Sequence, residues 1–239
     1  SPKVKRVYRQ INEENLRHNV REIAKYKQPE TEIMAVVKAN GYGHGGVTIS
    51  KILQSISIKT FAVASLDEAI ELRQANIKGD ILILGHTPIN NLHLVVKHDL
   101  IQTIVSYDYA LSIQQLKLKK KLKSHIKVNT GMNRLGEDYH QVAKIKEMYE
   151  MQHLQILGIF SHLAVADSIE LEHIQFTELQ IQRFEACIKQ LQREGIDVKK
   201  KHIQGSYGFS NYPHLKYDYI RMGIMLYGVY SETNQTSMM

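Results

Sequence analysis

A single cysteine, Cys187, rules out any disulfide within the chain and suits a reducing compartment. Only four prolines are present, and no stretch rich in Pro, Gly or Ser divides the 239 residues into separate units. No run approaches the ~20 apolar residues that a membrane-crossing helix needs. The opening residues, Ser1-Pro2-Lys3-Val4-Lys5-Arg6, lead into no apolar core, so they are not read as a signal peptide. No Gly-Lys-Ser/Thr follows the glycine-dense turn at residues 41–46, which excludes a P-loop. The densest basic run, Lys117-Leu118-Lys119-Lys120-Lys121-Leu122-Lys123, has no interleaved aromatics. A single-strand binder would need them, so the run is read as a solvated helix end despite a net charge of +7. No nucleic-acid partner and no metal is expected.

What remains is ordinary globular material, 43% hydrophobic and 23% charged, long enough to bury a sizeable core. Its pattern is a short β-branched run, a turn, then a helical stretch. The apolar runs are Ile33–Val37, Phe61–Ala64, Ile81–Leu84, Ile101–Val105, Ile126–Asn129 and Ile156–Phe160, with weaker ones at Lys201–Gln204 and Tyr219–Met222. Helical spacing is clear over Leu66–Arg73 and over Glu172–Arg193. Near-continuous apolar strands alternating with amphipathic helices imply a parallel sheet covered by helices. Eight units in roughly 200 residues suit a (β/α)8 barrel of the TIM type, and periodicity leaves an open doubly wound sheet as its competitor. One further unit comes first: Val7–Ile11 reads as a strand and Glu13–Tyr26 as a helix, so residues 1–30 are expected to pack outside the barrel.

In a barrel, chemistry sits at the C-terminal ends of strands. The polar residues there are Lys38, Lys127 with Asn129, His162, Ser206 and Arg221. A lysine at the mouth of a buried strand meets low dielectric, which favours the neutral amine that imine formation requires. Position alone would also suit a lysine that only ends its strand and reaches for water. The glycines after it let backbone approach a ligand, and the Tyr42 hydroxyl can bond a phosphate oxygen.

The segment Ala35-Val36-Val37-Lys38-Ala39-Asn40-Gly41-Tyr42-Gly43-His44-Gly45 closely resembles the pyridoxal 5′-phosphate (PLP) attachment signature of the alanine racemase family. Further blocks follow in the family's order: Lys127–Gly136, Ser161–Asp167 and Arg221–Gly228. The resemblance covers nearly the whole chain, with a flavour closest to the serine/alanine racemase domains of glycopeptide-resistance clusters. It implies a PLP-binding (β/α)8 barrel over residues 31–228, with 229–239 beginning a truncated or absent C-terminal β domain. It also implies PLP-dependent racemisation of a small amino acid, alanine or serine, for cell-wall precursors.

The roles implied by the resemblance are specific. Lys38 forms the internal aldimine and is the base on one face of the substrate. Tyr42, Ser206 and the amides of Gly223 and Ile224 hold the phosphate. Arg221 faces the pyridine nitrogen, where most PLP enzymes place a carboxylate, and so keeps that nitrogen unprotonated. His162 lies against the ring and helps orient Arg221. Arg134 bonds the cofactor's phenolic oxygen or the substrate carboxylate. Lys127 matches a lysine that is often carbamylated and then holds Arg134. The chain departs from the family at Asn129 and Asn133, where relatives commonly carry Asp and Gly, and at Gly205-Ser206, where they commonly carry Asn-Ser. The second base would come from the β domain, so the 239 residues are expected to bind PLP yet racemise poorly alone. The expectations for context are a homodimeric full-length parent and a cytoplasmic location, as a free protein or as the cytoplasmic domain of a membrane-anchored parent. The alternative reading is a single-barrel PLP-binding, PLP-homeostasis-like protein without racemase activity.

Overall fold

The computed structural model describes residues 2–38, 45–131, 136–164, 170–203 and 217–225. It begins with helix α1 (Pro2–Tyr26) and strand β1 (Glu32–Lys38), then α2 (Gly45–Ser55), β2 (Thr60–Val63), α3 (Leu66–Gln74) and β3 (Asp80–Ile83). A short 3-10 turn leads to α4 (Leu92–Lys97), followed by β4 (Ile101–Ile104), α5 (Tyr107–Gln114), β5 (Leu122–Asn129) and the two-residue β6 (Glu137–Asp138). The chain continues with α6 (Val142–Glu150), β7 (Leu154–Phe160), α7 (Leu171–Arg193), β8 (Lys200–His202) and β9 (Tyr219–Met225).

All strand pairs are parallel, and the order is β8-β7-β5-β4-β3-β2-β1-β9, with β6 attached to β5 alone. The last strand returns beside the first, from Glu32↔Tyr219 to Lys38↔Met225. That circular order excludes the doubly wound alternative, in which the strand order reverses at a switch point. The result is an eight-stranded, nearly closed parallel barrel. The remaining gap, between β8 and β9, is bridged at one end. The Asp218 amide donates to the Lys201 carbonyl (2.9 Å), and the Lys201 amide donates to Asp218 Oδ2 (2.7 Å). Asp218→Ala is expected to cost about 1–2 kcal/mol, because it deletes a charge-assisted bond at a half-buried site. Hydrogen exchange should show the loss first at the Lys201 amide.

Strand alternation divides the barrel into two faces. Ile33, Ala35 and Val37 of β1, with Phe61, Ile81, Ile104, Ile126 and Ile159, face outward into the main core under the helices. Met34, Ala62, Leu82, Ile101, Phe160 and Tyr219 form a separate interior cluster. Helix starts follow their sequence: the Ser65 hydroxyl accepts from the Glu68 amide to cap α3, and Ser106 does the same for Tyr109 of α5. Cys187 of α7 is buried, and burial pushes its thiol up to about 12, so it is inert as a nucleophile near neutral pH.

Two readings of the sequence need correction. Val7–Ile11 is not a strand but part of the continuous helix α1. Branched and aromatic residues there mimic alternation, while Leu16, Val20 and Ile23 further along carry the helical stripe into the core. The lysine-rich run is not a helix end either, because α5 stops at Gln114, residues 117–121 lie in the connection to β5 and Lys123 is within β5. Leu122 is buried and Leu118 packs on the core, which leaves Lys117, Lys119, Lys120 and Lys121 exposed. No described helix is long and apolar enough to cross a membrane.

Candidate active site

Lys38 occupies the last register position of β1, opposite Met225 of β9. Met34 and Val36 of the same strand face the interior. Arg221 belongs to the neighbouring strand β9, in register with Met34, and is 6% exposed. Its Nη2 donates to the carbonyls of Ser161 (2.7 Å) and Ile203 (3.3 Å), the residues directly after β7 and β8. The guanidinium therefore reaches from mid-strand to the C-terminal mouth, where β1 also ends. It lies over the Phe160 ring, 5.2 Å from the centroid. Burial pushes its pKa down to about 10, yet an arginine so placed remains a cation at neutral pH.

Behind Arg221 lie two buried imidazoles. His125 of β5 and His202 of β8 approach Nδ1 to Nε2 at 3.1 Å, and the His202 ring stacks on Phe160 at 4.6 Å. Gly158 of β7 makes room for them, since a Cβ there would meet the His125 ring at 2.9 Å and the Lys200 carbonyl at 2.8 Å. Burial, with Arg221 adding to it, lowers the pKa of both: His125 falls to about 3 and His202 well below its ordinary value. Both rings are neutral in the folded protein.

The strand end of β5 is shaped by its own side chains. Asn129 Oδ1 accepts from the Gly131 amide at 3.0 Å, and Gly131 has φ +134°. The Asn129 departure from the family pattern thus keeps an acceptor oxygen where a carboxylate would supply one. Thr130 Oγ1 meets Ser161 Oγ at 2.7 Å, and its carbonyl accepts from Arg183 Nη1 at 3.1 Å. At Gly131 a Cβ would come within 3.1 Å of Phe176 and 3.2 Å of Arg183. Gly131→Ala is therefore expected to lose about 1–3 kcal/mol from combined backbone strain and crowding. Thermal unfolding would measure it.

The structure brings Lys38, Lys127, His162, Arg221, Gly223 and Ile224 to one end of the barrel, on or just beyond β1, β5, β7 and β9. Lys127 is partly buried and in register with Phe160, and His162 is partly buried immediately after β7. Tyr42, Arg134 and Ser206 lie outside the described residues. Sequence reasoning missed Thr130, Phe160, Gln180 and the His125–His202 pair. A signal existed for one of them: Gln180 sits in an otherwise largely apolar stripe of α7 with Thr177, Phe184, Cys187, Ile188 and Leu191. At the opposite mouth, Asp80, His125, Asp197, Lys200, Asp218 and Tyr219 border a cavity of about 430 Å³. Barrel enzymes do their chemistry at the other end, so this cavity is not the candidate site.

Residues 11–231 match the sequence family described as alanine racemase, N-terminal domain. The chain is 41% identical over 226 residues to an alanine racemase of Carboxydothermus hydrogenoformans, covering 94% of this chain and 60% of that protein. It is 43% identical over 230 residues to an amino-acid racemase of Enterococcus faecalis, covering 96% of this chain and 32% of that one. A serine/alanine racemase of Enterococcus gallinarum is 37% identical over 232 residues, with 97% and 33% covered. Among solved structures, an alanine racemase of Clostridium difficile 630 superposes with a TM-score of 0.83 at 32% identity, over 92% of this chain and 61% of that one. The chain thus spans between a third and three-fifths of the curated relatives it matches.

Proposed function

The chain belongs to the alanine racemase family, and on that footing we propose that it binds PLP through Lys38 and takes part in racemising a small amino acid, alanine or serine. The observation that carries this reading is the buried Arg221 guanidinium, delivered by β9 to the mouth where β1 ends in Lys38. The donor set fits the cofactor. Arg221 offers only N–H groups, two of whose bonds go to carbonyl oxygens, so it suits a ring nitrogen that carries no proton. When bound, PLP supplies an aldehyde for an imine and a conjugated ring that disperses charge from the substrate's α-carbon.

The protein's own residues would divide the rest of the work. Lys38 holds the aldehyde and moves a proton at the α-carbon through its amine. The amides of Gly223 and Ile224, with Tyr42 and Ser206, hold the phosphate. Arg221 would hold the ring nitrogen unprotonated, which would limit charge dispersal into the ring and disfavour side reactions such as transamination. His162 would lie beside the ring, and Arg134 would meet the phenolic oxygen or the substrate carboxylate. A carbamate on Lys127 would turn a cation into an anion able to hold Arg134, which intact-mass measurement of the native protein tests. A role in cell-wall precursor synthesis in the cytoplasm, and a homodimeric parent, complete the proposal.

The test is a PLP titration followed at about 420 nm, where lysine-bound PLP absorbs. Borohydride reduction and peptide mapping then locate the modified residue. Incorporation of solvent deuterium at the α-carbon of L-alanine and L-serine tests the chemistry. No band, or a label on a lysine other than Lys38, would end the reading. A band without deuterium incorporation would favour a PLP-binding protein without racemase chemistry.

A further inference from the structure

We infer that Gln180 of α7 is a positioning residue that fixes the distance between two strand ends of the site. This inference rests on the site proposed above. Gln180 is wholly buried, on a helix face otherwise occupied largely by apolar side chains. A buried amide is tolerated only where its donors and acceptor are used. Here they are. Nε2 donates to the His162 carbonyl (3.1 Å) and to Thr130 Oγ1 (3.3 Å), while Oε1 accepts from the Ala164 amide (3.1 Å).

The three contacts join two separate segments. Thr130 directly follows β5, the strand of Lys127, whereas His162 and Ala164 follow β7. The connection continues beyond the glutamine. Thr130 Oγ1 contacts Ser161 Oγ at 2.7 Å, and the Ser161 carbonyl accepts from Arg221 at 2.7 Å. One turn further along α7, Arg183 grips the Thr130 carbonyl. A single helix thereby holds the end of β5 with two side chains and the segment after β7 with one. Loosening Gln180 would free the His162 backbone and, through Ser161, the carbonyl on which Arg221 leans. Leucine would fill the space but remove the bonds to the His162 carbonyl and the Ala164 amide, leaving Thr130 Oγ1 only its contact with Ser161. Glutamate could still accept from Ala164 but, when ionised, could donate to neither His162 nor Thr130.

The experiment compares wild type, Gln180→Leu, Gln180→Glu and Thr31→Val. Thr31 donates to the Tyr217 carbonyl at 2.7 Å, ahead of β1 at the far end of the barrel, so its variant controls for loss of a buried bond. Three quantities are read: the PLP dissociation constant, the induced circular dichroism of the PLP band, and hydrogen exchange at the Ala164 amide. Gln180→Leu is expected to weaken PLP binding at least tenfold, to lose most of the induced dichroism and to expose the Ala164 amide. Gln180→Glu should lose dichroism at pH 8, where an ionised carboxylate has no proton to donate. Thr31→Val should lower the melting temperature and leave all three readings unchanged. The inference is overturned if Gln180→Leu binds PLP within twofold of wild type with its dichroism intact. It is equally overturned if Thr31→Val changes the PLP signals as much as Gln180→Leu does. If wild type gives no PLP band, the proposed function fails, and the Ala164 amide still reports whether Gln180 holds the two segments.

Discussion

Lys38→Ala is expected to abolish the band at about 420 nm and to cut α-proton exchange by about ten-thousand-fold or more, with little change in melting temperature. The expected loss is large because one amine serves twice, as the attachment point and as the base. The fold should survive because Lys38 is the final residue of β1, beyond the buried stretch Ile33–Ala35 that anchors the strand between β2 and β9. Lys38→Arg should be equally inactive. A guanidinium stays protonated and so cannot form the imine, although it preserves length and charge. Retention of exchange in either variant would remove Lys38 from the chemistry.

Acid should destabilise this protein more steeply than carboxylate titration alone would. His125 and His202 are both buried with pKa values lowered by burial, and Arg221 lowers them further. In the unfolded chain each imidazole takes up a proton as pH falls below about 6.5. In the folded chain His125 stays neutral down to about 3. The stabilisation is therefore fully present above pH 6.5 and is lost as pH falls. The slope is up to about 1.4 kcal/mol per pH unit for each ring. Over two pH units and two rings the loss reaches on the order of 5 kcal/mol, comparable to the whole stability of many domains. The charged and titratable neighbours are Arg221, and around the far cavity Asp80, Asp197, Lys199, Lys200, Asp218 and Tyr219. Denaturant titrations at pH 7, 6 and 5 would measure the slope. His202→Phe, which suits the stacked place beside Phe160, should flatten it. Wild type and variant falling in parallel would show that the ring does not contribute.

The barrel was legible because its strands are buried on both faces. Runs such as Ile81–Leu84 and Ile101–Val105 need no alternation to be seen, and each corresponds to a strand. The weaker runs near His202 and Arg221 also became strands, though polar residues dilute them. Of these, His202 and Arg221 are buried inside the barrel, so polar residues in the interior blurred the pattern. At α1 the physics differs. Val7, Tyr8 and Ile11 favour strand locally, but the helix that buries Leu16, Val20 and Ile23 extends back through them. The family-like blocks singled out the strand-end residues proposed for the site. They did not reveal Gln180, whose partners at Thr130, His162 and Ala164 come from segments distant in sequence. Nor did they reveal the His125–His202 contact, which only the closed sheet creates.

The pairing of β1 with β9 bears on how the chain emerges from the ribosome. The partners lie about 190 residues apart, so closure carries a loop entropy on the order of 5 kcal/mol that nothing repays until β9 has been made. Meanwhile the apolar edge of β1 waits without its final neighbour and can pair with other nascent chains. Yield on expression should therefore depend on chaperones and on translation rate more than the stability of the finished barrel would suggest.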